Sequence, residues 1–407
     1  MSADRPRGRS RRVAVGAALL VALAACSGSA DSSAGAPKPT PTTGAAHPVP
    51  GREWQHVAPE AVGLDPDALE AIADEAESAR SRCLVVVRDG KIAGEWYFAG
   101  TDASTTQEVF SATKSFASTL VGLAQDDGDL EITDPASKWI SEWRGTPSEA
   151  VTVRDLLSND SGRQWSLQQD YVELIQAADK TRFAVDLGQA EDPGTVWAYN
   201  NSAIQTLQRV VGEATGEDAS DFARMRLFEP LGMRATEMKR DAAGNTMMFM
   251  GVQSNCRDLA RFGLLMLDHG RWGTEQIVSA DWVRAATGAS STDLNAAYGY
   301  LWWLNREGVL AGPTAATSID GVRDGTVDRG RLVPGAPADM FWALGLGNQI
   351  IQIDPGSRTV VVRLGPAEAS PQPPTFDRAS ASRVVTEAVV GEAGPGGAAT
   401  AKSTGGG

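Results

Sequence analysis

Three histidines, seven lysines, five tyrosines and three cysteines are all that the 407 residues supply of those types. His47 lies in a Pro/Thr/Ala-rich stretch, His56 near the start of the globular composition, and His269 in the loop-like "LDHGRWG". A Ser-His-Asp triad needs a histidine base and its nucleophile commonly sits in G-x-S-x-G; the sequence has no such elbow. It also lacks H-E-x-x-H, C-x-x-C and a Walker loop, and "GLGNQI" at Gly345 is short of the third glycine of a dinucleotide loop. No metal, nucleotide or other cofactor is therefore expected. The formal charge is -14. An acidic chain of this kind does not offer the basic surface that phosphates reward, so nucleic acid is not an expected partner. The apolar run "VAVGAALLVALAA" is too short to cross about 30 Å of hydrocarbon as a helix.

That run follows the basic "MSADRPRGRSRR" and ends in "LAAC", Leu23 to Cys26. A basic start, a short apolar core and small residues before a cysteine resemble a bacterial lipoprotein signal, with residues 1–25 removed and Cys26 lipidated. Arg11-Arg12 also permits twin-arginine export. Residues 26–51 are small, Pro/Ser/Thr/Ala-rich and almost free of large apolar side chains, which reads as a flexible tether. The protein is expected outside the cytoplasm, lipid-anchored on the outer face of the cytoplasmic membrane. There Cys83 and Cys256 could pair, or each could be a small buried apolar residue.

Residues 52–391 have globular composition, and 392–407 form a Gly/Ala-rich tail that is expected to be disordered. "CLVVVRDGKIAGEWYF" predicts a hairpin around Asp89-Gly90, and "NQIIQIDPGSRTVVVRLG" a second around Asp354-Pro355-Gly356. Between them helical patterns dominate, in "DLLSND", "SAIQTLQRVVGEAT", "CRDLARFGLLMLDHG" and "SADWVRAAT". Strands at both ends with helices between predict an α/β fold of the α+β type. Its antiparallel sheet would be built from the N- and C-terminal segments, with a helical lobe inserted.

"VFSATKSF", Val109 to Phe116, opens a helical pattern carried by Phe116, Leu120, Val121 and Leu123. On a helix Ser111 and Lys114 share a face, so the amine can reach the hydroxyl. A serine needs a base, and a lysine becomes one when burial lowers its pKa. Lys114 is the one lysine with a serine three residues before it. The alternative makes Ser111 an N-cap and Lys114 a solvated first-turn residue. "PGTVWAYNNSAIQTL" then adds Tyr199-Asn200-Asn201 on a turn before a helix. A tyrosine there, its pKa lowered by Lys114, could shuttle the proton. Tyr171 in "QQDYVELIQ" reads as a helix-face aromatic rather than a cleft residue, Trp302 and Trp303 as packing, and Asp160 and Ser161 as turn residues.

With Ser-x-x-Lys and Tyr-x-Asn in this order, the chain resembles the serine β-lactamase and D,D-peptidase superfamily. The likeness is to its class C, esterase and 6-aminohexanoate-dimer-hydrolase branch. "VTVRDLLSNDSG", "LFEPLGM", "SNCRDLARFGLLMLDHGRWG" and "AYGYLWW" extend it over most of residues 55–390. The resemblance implies a β-lactamase/transpeptidase-like fold, Ser111 as the acylated nucleophile, Lys114 as its base partner, Tyr199 as general base and acid, and Asn201 as a substrate-positioning amide. The family's third motif, Lys-Thr-Gly or His-x-Gly, is missing. Gly345, Leu346, Gly347, Asn348 and Gln349 stand in its place, with Gly347 and Asn348 as candidate substrate contacts and a backbone N–H near Asn348 as second oxyanion donor. Loss of that cation or imidazole favours neutral esters or linear amides over substrates with a carboxylate. Arg363 either substitutes for it or is a solvated strand residue.

The expected function is thus an exported serine hydrolase working through an acyl-enzyme, on a small ester, amide or peptide. Its rivals are a β-lactamase or D,D-carboxypeptidase acting on cell-wall peptides, a sensor that acylates and stalls, and a lipoprotein with only a structural role.

Overall fold

The computed structural model describes residues 48–366 and 375–391. Cys26, the signal segment, the tether up to residue 47 and the tail from 392 lie outside the described residues.

Six strands form the main sheet: β1 (Cys83–Arg88), β2 (Lys91–Tyr97), β3 (Trp303–Leu304), β4 (Phe341–Gly345), β5 (Gln349–Asp354) and β6 (Thr359–Leu364). They lie in the order β2-β1-β6-β5-β4-β3, each pair antiparallel. The sheet thus joins the two ends of the domain. The first hairpin turns through Asp89 and Gly90, both at positive φ, and a bulge at Val86/Val87 shifts its register. β1, β5 and β6 are buried along their whole length, which explains the Val runs of β1 and β6 and the three isoleucines of β5.

Five helices matter for the site and its support: α1 (Pro66–Ser78), α2 (Thr113–Asp127), α3 (Asn201–Gln205), α4 (Cys256–Leu267) and α5 (Arg378–Thr386). α4 packs on one face of the sheet: a Cβ on its Gly263 would meet Val360 at 2.5 Å and Ile351 at 3.3 Å. α5 lies on the opposite face, where Gln352 bonds the Ala381 carbonyl and the Ser382 hydroxyl, because neighbouring strand residues point to opposite sides. A disulfide joins Cys83 at the start of β1 to Cys256 at the start of α4.

The chain between β2 and β3 is mostly helical. It also carries a short ladder in which Val252–Ser254 lies between Gln107–Glu108 and Glu237–Met238, and its Val196–Ala198 pairs with Ala316–Ser318 from beyond β3. α2 runs through its middle. The sequence pattern gave this helix one apolar face, yet every residue from Thr113 to Ala124 is buried. Two of its polar members bond internally: Ser115 donates to the Leu301 carbonyl and Thr119 to the Ser115 carbonyl, while the buried Ser118 hydroxyl has no partner among the described residues. Gly122 lets Trp282 approach so closely that a Cβ would sit 2.5 Å from the indole.

Candidate active site

A 3₁₀ turn, Phe110–Ala112, leads directly into α2 and carries Ser111. Phe110 sits at φ 47°, a conformation that a bulky residue adopts only when its surroundings impose it. The surroundings are visible. The Val109 amide donates to Val252, and the Val252 amide donates to the Thr113 hydroxyl. Glu108 accepts from the Gly251 amide and the Gln253 side chain. These bonds stitch the Ser111 turn to residues 249–254.

One product of that stitching is the Phe249 carbonyl. The Lys114 ammonium donates to it at 2.9 Å and to Ser111 Oγ at 2.9 Å. Lys114 is buried, and burial pulls its pKa down to about 7, against the opposing field of Asp170. The solvated first-turn lysine of the alternative reading is therefore excluded.

Tyr199 completes the cluster. Its ring lies under Lys114 Nζ at 4.6 Å, stacks on Trp303 and meets Tyr298 edge-on. Its hydroxyl interacts with Ser111 and with the Trp303 side chain. The turn that carries it is held on several sides. Trp165 donates to the Tyr199 carbonyl, Asn159 accepts from the Asn200 amide, and Asn200 caps α3 by accepting from Ala203. The lowered tyrosine pKa expected from the sequence does not occur. Burial raises it first, the fields of Tyr171 and Asp170 add to the rise, and the contact with Ser111 only partly opposes it. In the resting site Tyr199 is a neutral phenol and Lys114 is the group poised near neutrality.

Asn201 is buried beside this cluster, its Oδ1 without a hydrogen-bond partner among the described residues. Its side chain interacts with Tyr171. Tyr171 is 43% exposed and donates to the Pro313 carbonyl. It flanks the site rather than packing on a helix face.

Gly345, at the end of β4, abuts the Ser111 turn: a Cβ there would lie 2.1 Å from the Val109 carbonyl. β3 covers only Phe341 and Trp342 of β4, so among the described residues the Ala343–Gly345 edge has no neighbouring strand on that side. Gly347 and Asn348 follow in the hairpin turn, both at positive φ. Their carbonyls accept from Arg363, and the Asn348 side chain donates to the Phe376 carbonyl. The structure thus brings Ser111, Lys114, Tyr199 and Asn201 together, with Gly345 closing the other side. It sets Gly347 and Asn348 one turn beyond, against Arg363.

Arg363 is neither solvated nor aimed at the site. It is buried, bonded to Ser81, Ala79, Gly347 and Asn348, and stacked over Phe376. Burial lowers its pKa to about 10. Asp160 and Ser161 do lie in the turn that follows the helix Val153–Ser158, but both are buried, and burial lifts the Asp160 pKa to about 7. Trp302 and Trp303 do pack, Trp302 on Phe262 and Phe341, and Trp303 on Tyr199.

Sequence reasoning missed the Phe249 carbonyl and Asp170. A backbone acceptor leaves no signal in residue types. Asp170 sits in a π-helical turn, Gln169–Glu173, where Leu167, Tyr171, Val172 and Ile175 face outward and the carboxylate faces in. An apolar stripe exposed to solvent inverts the pattern that a reader takes for a core face.

Comparison with known proteins bears on the family and the fold. The family model described as Beta-lactamase matches residues 68–385. A 6-aminohexanoate-dimer hydrolase of Paenarthrobacter ureafaciens is 23% identical over 306 residues, which are 71% of this chain and 73% of that one. Penicillin-binding protein 4 of Amycolatopsis lactamdurans is 29% identical over 202 residues, 45% of this chain and 51% of that one. A solved β-lactamase structure from Mycobacterium bovis superposes with a TM-score of 0.56 at 17% identity, over 79% of this chain and 99% of that one. That likeness concerns the fold.

Proposed function

The chain belongs to the Beta-lactamase family, a family of hydrolases, and from that premise we propose that it is an exported serine hydrolase cleaving neutral esters or linear amides through an acyl-enzyme on Ser111. The observation that carries the reading is the 2.9 Å bond between Ser111 Oγ and a Lys114 amine whose pKa burial holds at about 7. As Oγ attacks the carbonyl carbon, its proton passes to Lys114. The oxyanion would be met by the Ser111 amide and the free edge at Gly345–Leu346. Tyr199, bridging Ser111 and the leaving group, gives its phenol proton as the ester C–O or amide C–N bond breaks, the alcohol or amine departs, and the tyrosinate regains a proton from the Lys114 ammonium. Water then adds to the acyl carbon by the reverse route and releases the acid.

The preference for neutral substrates is supported by Arg363, the cation considered as a carboxylate partner, being buried and engaged. It is supported also by Leu346 and Tyr171, large apolar side chains that stay exposed beside Gly345 and Asn201. Export with lipidation at Cys26 draws support from the Cys83–Cys256 disulfide, which persists in oxidising compartments. Incubating the soluble domain and its Ser111→Ala variant with p-nitrophenyl esters, a linear 6-aminohexanoate dimer and nitrocefin tests the proposal. Ester or dimer turnover exceeding that of nitrocefin, and lost in the variant, is expected. Preferred turnover of nitrocefin would place the chain with the β-lactamases instead, and a nitrocefin adduct that persists would make it a sensor.

A further inference from the structure

We propose that Asp170 is a positioning residue of this site, fixing the Tyr199–Asn201 turn and supplying the counter-charge to Lys114. The inference rests on the reading of Ser111 as nucleophile and extends it to a residue outside the Ser-x-x-Lys and Tyr-x-Asn patterns.

Asp170 has no exposed surface. One carboxylate oxygen accepts from the Asn201 amide at 2.5 Å; the other accepts from the Ser202 amide at 3.1 Å and the Ser202 hydroxyl at 2.7 Å. All three partners donate, so the group acts as an acceptor for the turn; burial raises its pKa, and these bonds and the field of Lys114 oppose the rise. Those two amides immediately follow Tyr199-Asn200. A buried carboxylate is costly unless it is bonded this fully, and the π-helical turn is what brings it inward while Tyr171 faces the cleft.

Lys114 is in contact with Ser111, the Phe249 carbonyl and the Tyr199 ring, and the field of Asp170 reaches it. Asp170 is the one carboxylate acting on the amine among the described residues, and its field favours the ammonium. Asp170 in turn faces Asn201, Ser202 and Lys114, and its field reaches Tyr171 and Tyr199. When the Ser111 proton moves to Lys114, the new positive charge therefore forms opposite a fixed negative one. Asp170 touches neither Ser111 nor the free strand edge; it acts through Tyr199, Asn201 and Lys114.

The test compares wild-type, Asp170→Asn, Asp170→Glu and Ser202→Ala enzymes. For each, the rate of fluorophosphonate labelling and kcat/KM for a p-nitrophenyl ester are measured against pH. Removing the charge should lower the Lys114 pKa further, so in Asp170→Asn the acid limb moves down by about 0.5–1 pH unit, while kcat falls about 10- to 100-fold as the Tyr199 turn loosens. Ser202→Ala keeps the charge, so its limb should stay in place with a smaller loss of kcat. Asp170→Glu also keeps the charge but displaces it, giving the wild-type limb with reduced kcat, and it decides the matter should Asp170→Asn fail to fold. A limb that stays put in folded Asp170→Asn, or moves down in Asp170→Glu, overturns the proposal. Wild-type protein without a Ser111 adduct would instead overturn the nucleophile reading itself, and with it this extension.

Discussion

At Lys114 two demands conflict. A lysine buried this deeply is destabilising while it carries a charge, yet the same burial makes the amine a usable base near neutrality. The catalytic consequence is an acid limb: kcat/KM for a neutral ester should rise about tenfold per pH unit below about 7 and flatten above it, as Lys114 loses its proton. A profile flat from pH 5 to 9 would contradict this. The stability consequence has the opposite sense from a salt-bridged group. The folded-state pKa lies below the ordinary 10.5, so the unfolded chain binds more protons between about 7 and 10.5, and stability rises with pH across that window. Lys114→Met should therefore raise Tm at pH 6 by the equivalent of about 1–2 kcal/mol, with the gain shrinking towards pH 10. Differential scanning calorimetry at the two pH values measures it.

Among the elements, β4 and the turn that leads into α2 meet at one glycine. A Cβ on Gly345 would come within 2.1 Å of the Val109 carbonyl, a backbone atom that cannot rotate away. Gly345→Ala should thus push the end of β4 off the Ser111 turn and reduce kcat/KM about 10- to 100-fold, while far-ultraviolet circular dichroism stays unchanged. At this level much could be read from the sequence. The two hairpins, the helical stretches and the sheet drawn from both chain ends follow from local turn chemistry and period. The Ser111–Lys114 pairing was legible because three residues on a helix fix a distance. What was not legible depends on tertiary placement. α2 is buried all round because the rest of the inserted segment encloses it, so its serines and threonines did not read as core. Arg363 stands in a strand like any edge cation, and only packing shows it fastening the Gly347–Asn348 turn. Asp170 and the Phe249 carbonyl come to Lys114 from far along the chain.

For the molecule as a whole, the sheet is built from the two ends of the domain and tied to the inserted segment through α4. The Cys83–Cys256 disulfide spans a sequence separation of 173 residues, and closing a loop of that length limits the unfolded chain by at most about 5 kcal/mol. Replacing both cysteines by serine should cost about 2–4 kcal/mol in urea unfolding, leaving the acid limb where it was, since neither cysteine touches the Ser111 cluster. Loss of activity at full stability would be inconsistent with a purely structural bridge. Every part of this arrangement converges on the claim that Ser111 is the nucleophile. That claim is met most directly by intact-mass and peptide-mapping analysis after exposure to a fluorophosphonate. One adduct per chain, located on Ser111 and absent from Ser111→Ala, is the predicted result. Labelling that persists in the variant, or a folded wild-type protein that takes up no adduct, would contradict it.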